Sequence, residues 1–135
     1  MATSTIIYTG ELRTVAVHLQ SGVEIITDAP TDNQGRGEAF SPTDLLATSL
    51  GACMLTIMGI NARTNGIDIN QTRLEITKTM ATNPRRVSEI KIIITFPNKA
   101  YSEKEKQMLQ IAALNCPVAK SLHPEIKQDV NFIWD

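Results

Sequence analysis

Six aromatic residues in 135, 4% of the chain, do not cluster on any segment that reads as a strand, so the base-stacking platform of a single-strand RNA binder is missing. No GxxG loop is present either. Positive charge is also scarce, with thirteen Lys and Arg against fourteen Asp and Glu, and the one dibasic pair, Arg85 and Arg86, stands alone beside a proline. A surface for nucleic acid or another polyanion is excluded on that balance. Cysteine is limited to Cys53 and Cys116, 63 positions apart, with no CxxC and only His18 and His123 as imidazoles. That spacing builds neither a disulfide scaffold nor a structural zinc site. A chain of this length buries about 70% of its unfolded surface, so it needs no metal or disulfide to fold. The first ten residues hold no Lys or Arg and no long apolar run, so a cytoplasmic protein with reduced thiols is expected. Internal repeats and long linkers are lacking, which predicts a single domain over residues 1–135.

What is present reads as an α+β protein. Residues 12–19 alternate, with Val15, Val17 and Leu19 on one face, and a turn at Gln20, Ser21 and Gly22 leads into a second strand, VEIIT. Alternation puts Arg13 on the apolar face, where it either snorkels to water from the strand end or meets an anion. Residues 28–40 are aperiodic and read as a loop. Within it Gly35, Arg36 and Gly37 form a GxG that lacks the strand and helix of a phosphate-binding turn. Ser41, Pro42 and Asp44 fit the N-cap, first and third positions of a helix, and a helical pattern runs from Thr43 to Arg63, uncharged between Leu45 and Ile60. Its apolar length is short of a membrane span and is broken by Thr48, Ser49, Gly51, Thr56 and Gly59, so it is expected to be a buried spine rather than a membrane anchor. It has more apolar circumference than one small sheet covers, which predicts a homodimer. Asn65 and Gly66 mark its end. Two strands follow, at about 67–81 and 86–96, the second with Ile90, Ile92, Ile94 and Phe96 on one face. A helix capped by Ser102 and Glu105 runs to about Asn115, a short helix spans Val118 to Leu122, and a last strand reads VNFIW.

The two cysteines differ in setting. Cys53 shares a helical stripe with Leu46, Leu50, Ile57 and Ile60 and, taken alone, reads as a buried structural thiol. Cys116 precedes Pro117 at a helix start, where backbone N–H groups favour a thiolate, so local physics makes it the better nucleophile.

The segments FSPTDLLATSLGACMLTIMGI, with a proline eleven residues before a mid-helix cysteine, and NCPVAKSLHPEI resemble the two signature regions of the OsmC/Ohr family of hydroperoxide-reducing proteins. The order of strands and helices agrees with that family over essentially the whole chain. The resemblance implies an OsmC-like fold of antiparallel sheets around long buried helices. It implies an intertwined homodimer in the cytoplasm, with sites at the subunit interface. There thiols reduce organic hydroperoxides, with hydrogen peroxide as a second candidate substrate. It makes Cys53 the attacking thiolate and Cys116 the resolving thiol, reversing the ranking from local physics. An external dithiol, free or lipoylated, would be the reductant, with no bound cofactor. Arg13 is then the candidate cation beside the Cys53 thiolate. Members with well-defined peroxidase activity carry Glu directly after the proline, where it orients the arginine; here that position is Thr43. Asp44 points about 100° further round the helix. Glu38 in the loop is the candidate substitute, set against its plainer reading as an exposed loop carboxylate. Thr43 keeps an alternative open: a non-catalytic dimeric binding or redox-sensing stress protein with an apolar interface pocket.

Overall fold

A computed structural model describes residues 1–97 and 99–134. The chain forms two compact units, Met1–Leu46 and Ala47–Asp135, each built on a three-stranded sheet.

The first unit is a meander of β1 (Ser4–Gly10), β2 (Arg13–His18) and β3 (Glu24–Asp28), all antiparallel, followed by a 3-10 turn at Thr31–Asn33. β1 is absent from the sequence reading. Its turn to β2 is made by Glu11 and Leu12, both at positive φ (57° and 61°), a primed hairpin turn carried by residues that rarely make one. The sheet is apolar on both sides: Ile7, Val15 and Ile26 share one face, Ile6, Ala16 and Ile25 the other. Among the described residues, the side chains buried in this unit are Thr27, Asp28 and Ser41, all polar.

Between loop and helix, Ser41 Oγ accepts from the Asp44 N–H and the Asp44 carboxylate accepts from the Ser41 N–H, both at 3.0 Å, closing the expected reciprocal cap. α1 (Pro42–Thr64) ends at Gly66, whose φ of 68° lets the Ile67 N–H reach back to the Ala62 carbonyl at 2.8 Å. At 23 residues α1 does have the length and composition of a membrane span, contrary to the length argument from sequence. It is amphipathic by packing, not by charge. Its buried stripe is Ala47, Leu50, Gly51, Met54, Met58 and Ala62, while Leu46 and Ile60 are exposed and Cys53 is half-buried. Within one chain the helix is therefore buried along a single stripe, with Cys53 partly covered and Leu46 and Ile60 off that stripe.

The second sheet runs β4 (Arg73–Ala81), β5 (Arg86–Thr95), β6 (Lys127–Ile133), and α1 presses on it closely enough that a Cβ on Gly51 would come within 2.6 Å of Ile76 and 2.8 Å of Leu74. β4 starts at Arg73 rather than 67, because Gln71 at φ 73° turns the chain. Ile90, Ile92, Ile94 and Phe96 form the buried face of the central strand as expected. α2 (Glu103–Leu114) carries the Ser102–Glu105 capping box, and α3 (Pro117–Ser121) follows. These two helices return the chain to the end of the sheet where β5 began. β6 therefore pairs with β5 in parallel, and the expectation of purely antiparallel sheets fails at this pair. The same return brings rings from separate segments together: Trp134 stacks on Phe96 at 4.0 Å, with Tyr101 and Phe132 alongside. The aromatic cluster missing from any one strand thus exists in the fold, turned into the core around the buried Phe96.

Candidate active site

Cys116 stands where α2 stops and α3 starts. Pro117 supplies the fixed φ and missing N–H of a first helical residue, leaving Cys116 extended (φ −70°, ψ 152°) as the N-cap, its Sγ accepting from the Ala119 N–H at 3.4 Å. The cap position is the one read from sequence. Cys116 is fully buried, and burial pushes its thiol pKa up. The Ala119 N–H pulls the other way, and the neighbouring Cys53 thiol adds to the rise. Cys53, on α1, is half-buried at the edge of the same apolar core, and both thiols are free. The arrangement pairs a partly buried sulfur with a fully enclosed one whose pKa is raised.

A second cluster is built within residues 1–46. Arg13 opens β2 and Asp28 closes β3, and the register sets them opposite each other on one face. Arg13 Nε donates to Asp28 Oδ1 at 2.7 Å and Nη2 to Oδ2 at 2.8 Å, while Nη2 also donates to Glu38 Oε1 at 3.1 Å. The Glu38 N–H donates to Asp28 Oδ2 at 3.1 Å. Asp28 is 1% exposed, Arg13 24% and Glu38 64%. The Arg13 hydrogen bonds hold the Asp28 carboxyl below the ordinary carboxylate range against the opposing effect of burial, and Asp28 in turn raises the guanidinium further above its usual value. The loop is shaped to deliver Glu38. A Cβ on Gly35 would lie 1.7 Å from the Ala29 carbonyl oxygen, and Gly37 sits at φ 62°, so the GxG serves loop closure over the end of β3. Thr43 lies in the first turn of α1, its hydroxyl 3.2 Å from Ser41 Oγ.

Two groupings result: Arg13 with Asp28 and Glu38, and Cys53 with Cys116. Asp28 is the residue that sequence reasoning missed. Its signal was the hairpin register, which carries the alternation of VEIITD one step further and sets an acid opposite Arg13. Among the described residues, no group of three or more His, Cys, Asp or Glu could hold a metal ion.

Two small sheets, a long helix bearing one thiol and a second thiol capping the short helix before the last strand define a class of α+β protein with a candidate dithiol centre. The chain belongs to the OsmC-like protein family, which matches residues 35–131. A Psychrobacter arcticus protein, described as an osmotic stress induced and detoxification response protein, is 61% identical in its crystal structure, with 98% of this chain and 96% of that one covered and a TM-score of 0.94. A Legionella pneumophila organic hydroperoxide resistance protein, OsmC, is 14% identical over 98% of both chains, with a TM-score of 0.76. A Vibrio cholerae organic hydroperoxide resistance protein, solved with captopril in one of its active sites, is 15% identical over 98% of this chain and 92% of its own, with a TM-score of 0.73. The latter two likenesses are of fold. The comparison with curated proteins finds no match.

Proposed function

We propose that the protein is a thiol-dependent peroxidase that reduces organic hydroperoxides in oxidative-stress defence, with hydrogen peroxide as a second substrate. The observation that carries the reading is that a partly buried thiol, Cys53, and a fully buried one, Cys116, belong to one apolar core, both free and near enough for Cys53 to influence the Cys116 thiol. The Cys53 thiolate attacks one peroxide oxygen; the O–O bond breaks, the alkoxide leaves as the alcohol after taking a proton, and Cys53 becomes a sulfenic acid. Cys116 then gives up its proton and attacks the Cys53 sulfur, hydroxide leaves as water, and a disulfide forms. An external dithiol, free or lipoylated, returns two electrons and two protons. No cofactor enters these steps. Arg13 is the cation assigned to the Cys53 thiolate, held by Asp28 and Glu38 where Thr43 offers no carboxylate.

The reading includes a cytoplasmic homodimer. Its support is the apolar surface that one chain leaves uncovered: Ile6, Ile7 and Tyr8 of β1 are each at least 64% exposed, in a unit whose buried side chains are polar.

Thiol counting tests the chemistry. Cumene hydroperoxide should remove two thiols per chain, reversibly with dithiothreitol. Cys53→Ser should consume no peroxide, and Cys116→Ser should complete one oxidation and leave a dimedone-trappable Cys53. If both thiols persist under excess hydroperoxide, the protein is instead a dimeric binding or redox-sensing member of its family.

A further inference from the structure

α1 carries glycine at positions 51 and 59, and packing explains the first but not the second. Gly51 lets the helix press on Ile76 and Leu74, whereas a Cβ on Gly59 would meet nothing among the described residues within 4 Å. Glycine inside a helix is less stable than alanine, so space kept at that cost and left unused by the chain calls for an occupant.

The space is a groove of about 470 Å³ within Ala47–Asp135, with Thr56, Gly59, Ile60 and Arg63 of α1 on one side and Ile67 and Ile69 on the other. Clefts that hold small molecules run from about 300 to 1,000 Å³. The wall facing α1 is tied down. Asp68 Oδ1 accepts from the Asn70 N–H at 2.8 Å and Oδ2 from Lys99 Nζ at 2.5 Å, while the Tyr101 hydroxyl donates to the Asp68 carbonyl at 2.7 Å. With both oxygens of Asp68 engaged, Arg63 is the uncompensated charge of the groove. Its guanidinium has no hydrogen-bond or ion-pair partner among the described residues. Its place in the last turn of α1 suits the helix dipole but uses none of its donors.

We propose that this groove binds an aliphatic monocarboxylate, its chain along Gly59 and the isoleucines and its carboxylate on the Arg63 fork. Between Arg63 and Thr56 the helix offers about 10 Å of length, which suits a medium chain. Cys53 lies about 90° round α1 from the mean direction of Thr56, Gly59 and Arg63, so the site is separate from the thiols and independent of their chemistry. A second copy of the chain is the rival occupant, because Ile60 is also part of the exposed apolar surface. Charge disfavours it: an apolar surface laid here would enclose the guanidinium without a carboxylate.

Octanoate, titrated calorimetrically into the full chain with reduced thiols, tests the proposal, with octanol as the uncharged control. Octanoate should bind saturably and octanol about tenfold more weakly or less well still. Arg63→Gln should weaken octanoate by about the same factor and leave octanol unchanged. Gly59→Leu fills the groove without entering the core, so it should abolish binding of both while keeping Tm at or above that of wild type. Equal affinity for octanoate and octanol, wild-type affinity in Gly59→Leu, or no binding at all overturns the proposal. No binding, together with a dimer weakened by Gly59→Leu in sedimentation, assigns the groove to the second copy instead. Bound octanoate should leave iodoacetamide labelling of Cys53 unchanged; protection of Cys53 would place the acid at the thiols and overturn the separate site. None of these measurements consumes hydroperoxide, so failure of the peroxidase reading and failure of this one are told apart.

Discussion

At the scale of single residues, the two sulfurs differ in their access to solvent. Cys116 is enclosed and its pKa is raised, so at neutral pH it is a thiol; Cys53 reaches solvent. Limited iodoacetamide at pH 7 should therefore label Cys53 about tenfold faster or more, read by peptide mass spectrometry. Asp28 gives an expectation in acid. Its folded pKa lies below its unfolded value near 4, chiefly through the Arg13 hydrogen bonds, so it stabilises the fold at every pH above that value and ceases to do so as pH falls through the folded one. Asp28→Asn should lower Tm at pH 7, and the gap to wild type should narrow as pH is taken from 5 to 3. The sequence disclosed Arg13 because a charge on an apolar alternation is conspicuous. Asp28 stayed hidden because an acid at a strand end looks like the start of a loop. Cys116 was legible as a cap, since Pro117 fixes the local geometry; its burial depends on α1 and was not.

At the scale of elements, local chemistry that acts within a few residues was readable. The caps at Ser41 and Ser102 and the stop at Gly66 follow from side chains and φ preferences inside one turn, and all three are present. β1 was not readable for two reasons. Ile6 and Ile7 are adjacent and serve opposite faces, which erases the period of two, and the turn after β1 uses Glu11 and Leu12 where Asn-Gly would have signalled a hairpin. The direction of β6 depends on how far the α2–α3 connection returns, which no local pattern encodes. Within α1, two glycines test the packing. Gly59 has nothing among the described residues within 4 Å of an added Cβ, so Gly59→Ala should stabilise by about 1 kcal/mol through helix propensity. Gly51→Ala gains the same propensity but must displace Ile76 and Leu74 together, at about 1–3 kcal/mol, so its Tm should fall at or below that of wild type. Thermal unfolding of both variants reads the contrast.

At the scale of the whole molecule, exposed apolar area argues for a second copy. With Ile6, Ile7, Tyr8, Ile60 and Ile111 all more than half exposed, sedimentation at micromolar concentration should give a dimer, and Ile7→Lys should shift it toward monomer or unfold it. A stable wild-type monomer would contradict the expectation. The placement of the thiols has a further, energetic consequence. Cys53 and Cys116 are neighbours in the fold but 63 positions apart in the chain, so a bond between them would close a loop holding β4, β5 and α2. Closing a loop of that size removes entropy from the unfolded chain equivalent to about 4 kcal/mol. Linkage runs both ways: a fold made that much firmer by oxidation holds its disulfide that much more tightly. For a two-electron couple this displaces the reduction potential by roughly −90 mV relative to the same disulfide in an unstructured chain. Were that bond formed, recovering the thiols would call on a strongly reducing dithiol able to close its own ring more than on a monothiol. Oxidation state and thermal stability become two readings of one equilibrium.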